Sequence, residues 1–230
     1  MKNQQKQSGA NNRKKILIVD DHPMMREGLA QLIGHEKDLI VCGEAGSAHQ
    51  ALEIIDQTKP DLVLVDISLA GKSGLELIKD IQSAHSGMAI LVISMHEESL
   101  YAERVLRAGG RGYVMKQEGG KKLMLAMRQV LNGQVYVSDR MSAKILEIFS
   151  GRRPQTASLT VELLTDREFE IFQLFGQGKA TREVADQLHL SAKTVEVHRV
   201  NMKKKLKVKT VPELIRYAVR WVESQSATGL

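Results

Sequence analysis

Asp61-Leu62-Val63-Leu64-Val65-Asp66-Ile67 is the stretch whose reading decides the fold. An apolar, β-branched run of about four to eight residues bounded by a turn signal, here Lys59-Pro60-Asp61, suits a central parallel strand, although periodicity alone does not separate it from a buried helix segment. Read as a strand, the run delivers a single carboxylate, Asp66, to its end. Three other apolar runs finish in polar groups: Ile16–Val19 in Asp20-Asp21, Ala89–Ile93 in Ser94, and Gly112–Met115 in Lys116.

Helical patterns alternate with these runs. His22-Pro23 opens one carrying Met25, Leu29, Leu32 and Ile33, and Leu39–Ala45 is a further strand. Ser47–Thr58, Leu75–Ala84, Leu100–Ala108 and Lys121–Asn132 are the remaining helices, the first stopping before Lys59-Pro60. Five βα units with short connections predict an α/β fold with a five-stranded parallel sheet and helices on both faces. If the order is the flavodoxin-like 2-1-3-4-5, Asp20, Asp21 and Asp66 meet where the order reverses, the usual ligand position in open α/β sheets. Ser94 and Lys116 end the next strands on the same edge. Crowded carboxylates repel unless a cation separates them, and hard oxygen ligands suit Mg²⁺ with waters. Lys116 offers a fixed positive charge to an incoming phosphoryl group and Ser94 a hydroxyl donor. A lone Asp at a strand end is ordinarily a turn cap; five polar groups in register at one edge point to chemistry.

With 230 residues the chain has room for one or two domains and a sizeable core. Its net charge of +6 hides an asymmetry: residues 1–15 carry +5, 16–140 carry −4 and 141–230 carry +5. An acidic body joined to a basic C-terminal part predicts that the latter meets a polyanion. No apolar run of about 18 residues exists to cross a membrane, and the polar start lacks the apolar core of a signal peptide, so a cytoplasmic protein without a membrane partner is expected. The one cysteine, Cys42, lies in an apolar run and is expected to be a buried structural thiol.

Residues 14–135 resemble the receiver domain of a two-component response regulator. The resemblance rests on the Asp20-Asp21 pair, Asp66, Ser94, Tyr113 and Lys116. It implies that Asp66 accepts phosphate from a sensor histidine kinase and that Asp21 and Asp66, with Asp20 through water and the Ser68 backbone carbonyl, hold Mg²⁺. It also implies that Ser94 and Lys116 stabilise the phosphoryl group, with Ser94 and Tyr113 acting as the switch. Two positions depart from the family: Ala70 stands where a proline is common, and Met95 where many receivers have a smaller residue.

Residues 1–13 are expected to be a disordered tail, and 136–158 a linker carrying one helix over 138–150, capped by Ser138, with Met141, Ile145, Ile148 and Phe149 as its apolar stripe. Gly151–Ser158 is the linker proper by its Gly, Pro and Ser content. Residues 159–223 then read as a small all-α unit of four helices, followed by a tail over 224–230. Thr165-Asp166-Arg167-Glu168 is a capping box opening the first helix, which Gly176 and Gly178 stop. Glu183–Leu188 is the second, His189-Leu190-Ser191 the turn, and Ala192–Lys205 the third. Thr210-Val211-Pro212-Glu213 is a second capping box, opening the fourth. A tight turn between two helices, the second basic, predicts a helix-turn-helix. At about 100° per residue, with Val195 inward, Met202 and Leu206 also face the core. Lys193, Val197, Val200 and Lys204 then point away, flanked by Glu196 and Lys203. Outward valines are poor choices against water but suit thymine methyls in a major groove.

Leu164–Glu168, Glu183–Ala185 and Leu190–Arg199 resemble the LuxR-type DNA-binding domain, and the whole architecture resembles a NarL/FixJ-type response regulator. That resemblance implies a phosphorylation-dependent transcription regulator that binds promoter half-sites as a homodimer. Its DNA contacts would come from Lys193, Thr194, Glu196, Val197, Arg199, Val200, Lys203 and Lys204, with Glu196 standing where many members have a basic residue. Two other readings differ in class. A DNA-binding protein could use the receiver as a phosphorylation-independent dimerisation module, against which the intact acidic pair, Asp66 and Lys116 argue. A haloacid-dehalogenase-like phosphatase needs an Asp two residues after the nucleophile, where this chain has Ser68.

Overall fold

The computed structural model describes residues 13–149 and 161–227. The first part alternates β1 (Lys14–Val19), α1 (Pro23–Gly34), β2 (Leu39–Ala45), α2 (Ala48–Thr58), β3 (Leu62–Val65), α3 (Gly74–Ala84), β4 (Ala89–Ser94), α4 (Glu98–Arg107), β5 (Gly112–Met115) and α5 (Gly120–Leu131). All strand pairs are parallel and the order is β2-β1-β3-β4-β5, the flavodoxin-like arrangement expected from the alternation. Every residue of β3 and β4 is buried, as continuous apolar runs covered by helices on both faces require.

Side chains alternate between the two faces. Ile16, Ile18, Leu62, Leu64 and Leu91 pack with Leu29, Ile33, Leu123, Met127 and Val130 of α1 and α5. Leu17, Val19, Val63, Val65 and Val92 pack with Ala51, Ile55, Leu75, Ile78 and Tyr101 of α2, α3 and α4. Each fully buried aliphatic side chain stabilises by roughly 1.5–3 kcal/mol. β2 is an edge strand with mixed burial, and Cys42 on it is half-buried, its thiol 3.6 Å from the Thr58 hydroxyl. The expectation of a buried thiol is therefore corrected: an apolar run at a sheet edge is covered on one side only.

After α5 comes α6 (Asp139–Phe149), whose Met141 N–H donates to Ser138 Oγ at 3.1 Å, the expected cap. α6 packs on α4, with Met141 buried and Ile145 partly so. The Ile148 and Phe149 side chains, the tail over 1–12, the segment Gly151–Ser158 and residues 228–230 lie outside the described residues.

The helical part holds α7 (Asp166–Gly176), α8 (Thr181–Gln187), α9 (Ala192–Lys205) and α10 (Val211–Ala227). Both capping boxes form: Glu168 N–H donates to Thr165 Oγ1 at 3.3 Å and Thr165 N–H to Glu168 Oε2 at 2.8 Å, while Thr210 and Glu213 exchange bonds of 3.3 and 3.4 Å. α8 starts two residues before the predicted Glu183 because Glu183 itself reaches back, its Oε2 accepting from Ala180 N–H at 2.7 Å. In the turn to α9, His189 adopts the left-handed conformation with φ 52°. Phe169, Phe172, Leu174 and Phe175 of α7 form one core with Leu214, Ala218 and Trp221 of α10, and that core runs on into the α2–α4 side of the sheet.

Candidate functional site

The register brings the strand ends together. Val19 pairs with Val65, so Asp20 and Asp66 emerge side by side, and Asp66 N–H donates to the Val19 carbonyl at 2.8 Å. Both carboxylates are buried. Lys116 Nζ reaches across from the end of β5 and donates to Asp20 Oδ2 and Asp66 Oδ2, at 2.7 Å each. Asp66 Oδ1 accepts from Ser68 N–H at 3.3 Å. One ammonium against two buried carboxylates leaves net negative charge at the strand ends. Burial, foremost, pushes the Asp66 carboxyl above its ordinary range; the Asp20 charge adds to this and Lys116 opposes it. Burial would lower Lys116, but Asp66 and Asp20 outweigh it and hold the ammonium above the ordinary lysine value.

Asp21 completes the acidic edge. Its buried Oδ1 makes no hydrogen bond among the described residues, although His22 Nδ1 stands 2.8 Å away. One ligand atom each from Asp20, Asp21, His22 and Asp66 fall within 4.8 Å of one another. Ser94 is fully buried, and its Oγ accepts from His96 N–H at 3.2 Å. Tyr113 is buried, its hydroxyl donating to the His96 carbonyl at 2.8 Å, and burial raises that phenol. The five strand-end groups, Ser68 and Tyr113 are thus all brought to one edge.

The predicted inward side of α9 is buried at Val195, Met202 and Leu206. On the opposite side Val197 is 54% and Val200 45% exposed, with Lys193 and Lys204 exposed beside them. Thr194, Glu196, Arg199 and Lys203 are half-buried. Thr194 is engaged at the helix start, its N–H donating to Ser191 Oγ at 3.0 Å, and Glu196 is ion-paired with Arg199 one turn on.

These two geometries agree with what the chain resembles as a whole. A family model described as the response regulator receiver domain matches residues 16–128, and one described as bacterial regulatory proteins, luxR family, matches residues 162–218. Oxygen regulatory protein NreC of Staphylococcus aureus is 34% identical over 210 residues, covering 90% of this chain and 97% of that protein. The chain belongs to the NarL/FixJ-type response regulators. A LuxR-family response regulator from Aurantimonas sp. SI85-9A1 superimposes with a TM-score of 0.56 at 33% identity, covering 60% of this chain and 99% of that one. A structure of two RcsB dimers bound to two parallel DNAs gives a TM-score of 0.55 at 25% identity, covering 90% and 98%. No described helix is long and apolar enough to cross a membrane.

Two further features of this regulator come from its tertiary structure. His96 is one: its Nε2 lies 3.0 Å from Ser68 Oγ and its ring 4.8 Å from Tyr101. Burial and the nearby Lys116 charge press its pKa down to about 4, so the imidazole is neutral at neutral pH. Its place two residues beyond Ser94 is the one signal the sequence offers. The other is a seam where α7 meets α3, α4 and the loop after Asp66. Arg104 donates to the carbonyls of Val161 and Leu164 at 2.8 and 3.1 Å and to Asp166 at 3.2 Å; Lys79 meets Asp166 at 2.6 Å. Arg167 donates to the Gly71 carbonyl and pairs with Glu170 at 2.7 Å, and Ser73 donates to Glu170. Burial lifts the Glu170 carboxyl to about 7, against the pull of Arg167 and Ser73. Nothing local in the sequence marks these partners.

Proposed function

We propose that this regulator accepts a phosphoryl group on Asp66 from a sensor histidine kinase, that Asp20, Asp21, Asp66 and the Ser68 carbonyl hold Mg²⁺, and that phosphate favours a homodimer bound to promoter DNA. The supporting observation is Lys116 Nζ, 2.7 Å from both Asp20 and Asp66, at the point where the strand order reverses. The residues suit Mg²⁺: three carboxylates share one edge, and among the described residues the buried Asp21 Oδ1 has no hydrogen bond, only the approach of His22 Nδ1. Bound there, Mg²⁺ would supply the positive charge that lets a phosphoryl group approach a carboxylate. An Asp66 oxygen attacks the phosphorus of a kinase phosphohistidine as its P–N bond breaks. Lys116 exchanges one carboxylate for a phosphoryl oxygen, and the Ser94 hydroxyl turns to donate to another. Tyr113, tied to the residue that Ser94 holds, responds with it.

DNA binding falls to α9. Lys193, Arg199, Lys203 and Lys204 attract backbone phosphates, while Thr194, Glu196, Val197 and Val200 meet base edges in the major groove. RcsB, at 25% identity, is solved as dimers on DNA, which supports two α9 helices reading half-sites about one helical turn apart. Promoter DNA as the partner puts this work in the cytoplasm. Incubation with acetyl phosphate and Mg²⁺ should add a hydroxylamine-labile phosphate to the wild type and none to Asp66→Asn. Equal labelling of the two proteins would remove Asp66 as the acceptor.

A further inference from the structure

Taking Asp66 as the phosphoacceptor, we infer that His96 and Tyr101 are the positioning residues through which the phosphoacceptor loop is read by the DNA-binding helices, by way of Phe169 and Trp221. His96 sits between the two switch residues and the loop. Ser94 Oγ accepts its N–H at 3.2 Å, the Tyr113 hydroxyl donates to its carbonyl at 2.8 Å, and Ser68 Oγ meets its Nε2 at 3.0 Å. Ser68 in turn donates its N–H to Asp66 Oδ1 at 3.3 Å. When Ser94 turns to a phosphoryl oxygen, His96 loses the acceptor of its N–H. When the loop shifts, it loses the partner of its ring. Tyr113 delivers to the same place, because its hydroxyl ends on His96 and not at the seam.

From His96 a continuous line of rings crosses the molecule. The imidazole lies 4.8 Å from Tyr101, Tyr101 lies 5.3 Å edge-on from Phe169, and Phe169 lies 5.5 Å edge-on from Trp221. Tyr101 belongs to α4, Phe169 to α7 and Trp221 to α10, so the second contact is the crossing between the two parts. Interiors are close-packed, so a displaced His96 ring either carries Tyr101 with it or leaves a void. The same ring has a built-in bias. Tyr101 is fully buried and its hydroxyl has no hydrogen-bond partner among the described residues, a cost that the closed seam bears and that opening relieves. Phosphate would then choose between this closed arrangement and an open one, which is what coupling between distant sites requires.

Trp221 is the only tryptophan in the chain and stands at the far end of the line, so its fluorescence excited at the tryptophan edge reads the seam directly. The experiment uses full-length protein with acetyl phosphate and Mg²⁺. It measures hydroxylamine-labile phosphate, acrylamide quenching of Trp221 and affinity for a selected operator in the same samples. In the wild type, phosphate should raise both quenching and affinity. His96→Ala should take up phosphate yet show raised quenching and affinity without it, so that most of a coupling on the order of 5- to 150-fold is lost. His96→Phe, which keeps a ring against Tyr101, should restore the low quenching of the unphosphorylated wild type. Tyr101→Phe keeps the fold and removes only the unpaired hydroxyl; it should tighten the seam and lower quenching and affinity at every phosphate level. The relay is overturned if labelled His96→Ala responds to phosphate to the full wild-type extent, or if Tyr101→Phe keeps wild-type quenching and affinity at every phosphate level. A wild type that takes no labile phosphate overturns the phosphoacceptor reading instead, and removes the relay's input with it.

Discussion

The backbone behind Asp66 leaves no room for a side chain on Gly74, the first residue of α3. A Cβ on Gly74 would stand 2.2 Å from the Asp66 carbonyl oxygen and 2.7 Å from Ile67 Cα. Backbone cannot yield as a side-chain tip does, so Gly74→Ala should push the phosphoacceptor out of register with Lys116. We expect a loss of about 2 kcal/mol in thermal unfolding and a much slower uptake of phosphate from acetyl phosphate. Wild-type phosphorylation in a fully folded Gly74→Ala would show that α3 does not set the position of Asp66. The strand-end residues were legible because each ends an apolar run, and the alternation of runs and helices fixes which edge they share. Gly74 and His96 were not. The first matters through the approach of α3 to the Asp66 carbonyl, the second through Ser68 and Tyr101, and neither relation has a local pattern.

At the scale of elements, the caps and the inward face of α9 were readable because both are short-range: a Thr-x-x-Glu signature satisfies its own orphan amides, and helix geometry places Met202 and Leu206 beside Val195. Burial on β2 was not, since an apolar run does not announce whether its strand is central or at an edge, and Cys42 is half-buried for that reason. The outer face of α9 divides into two functions with different salt dependence. Lys204→Ala should weaken binding to every DNA sequence and reduce the slope of log K against log salt by about one. Val197→Ala and Val200→Ala should leave that slope unchanged and reduce discrimination by about 1 kcal/mol at a thymine-bearing position. A panel of single-base operator variants at several salt concentrations separates the cases. A preferred sequence altered by Lys204→Ala and untouched by either valine change would rotate the assigned face.

At the scale of the whole molecule the seam decides how the two parts act on each other. Asp166 pairs with Lys79 and Arg104 across separations of 87 and 62 residues, which is why composition could suggest a boundary and not the contacts that span it. The seam should also respond to pH through Glu170, which faces Arg167 on its own helix, Ser73 and Glu76 at the start of α3, and Tyr101 on α4. Burial lifts Glu170 to about 7 in the closed arrangement, against an ordinary value of 4.5. Below the ordinary value the group is protonated in both arrangements and its ionisation does not disfavour closure. As pH rises from there through about 7, ionisation increasingly disfavours the closed form, by on the order of 3 kcal/mol in full. Acrylamide quenching of Trp221 should therefore rise with pH across that window in the wild type, and Glu170→Gln should flatten the rise. A pH profile identical in the two proteins would remove Glu170 from the seam's response.

Phosphate on Asp66 should control how strongly α9 holds DNA. The most direct measurement is operator affinity at fixed salt, for wild type and Asp66→Asn, with and without acetyl phosphate and Mg²⁺. Phosphorylation should raise wild-type affinity by on the order of 5- to 150-fold. Asp66→Asn should bind with the unphosphorylated affinity under both conditions. A wild type that carries phosphate on Asp66 and binds its operator no more tightly than Asp66→Asn would leave the receiver a phosphorylation-independent dimerisation module and Asp66 without control of α9.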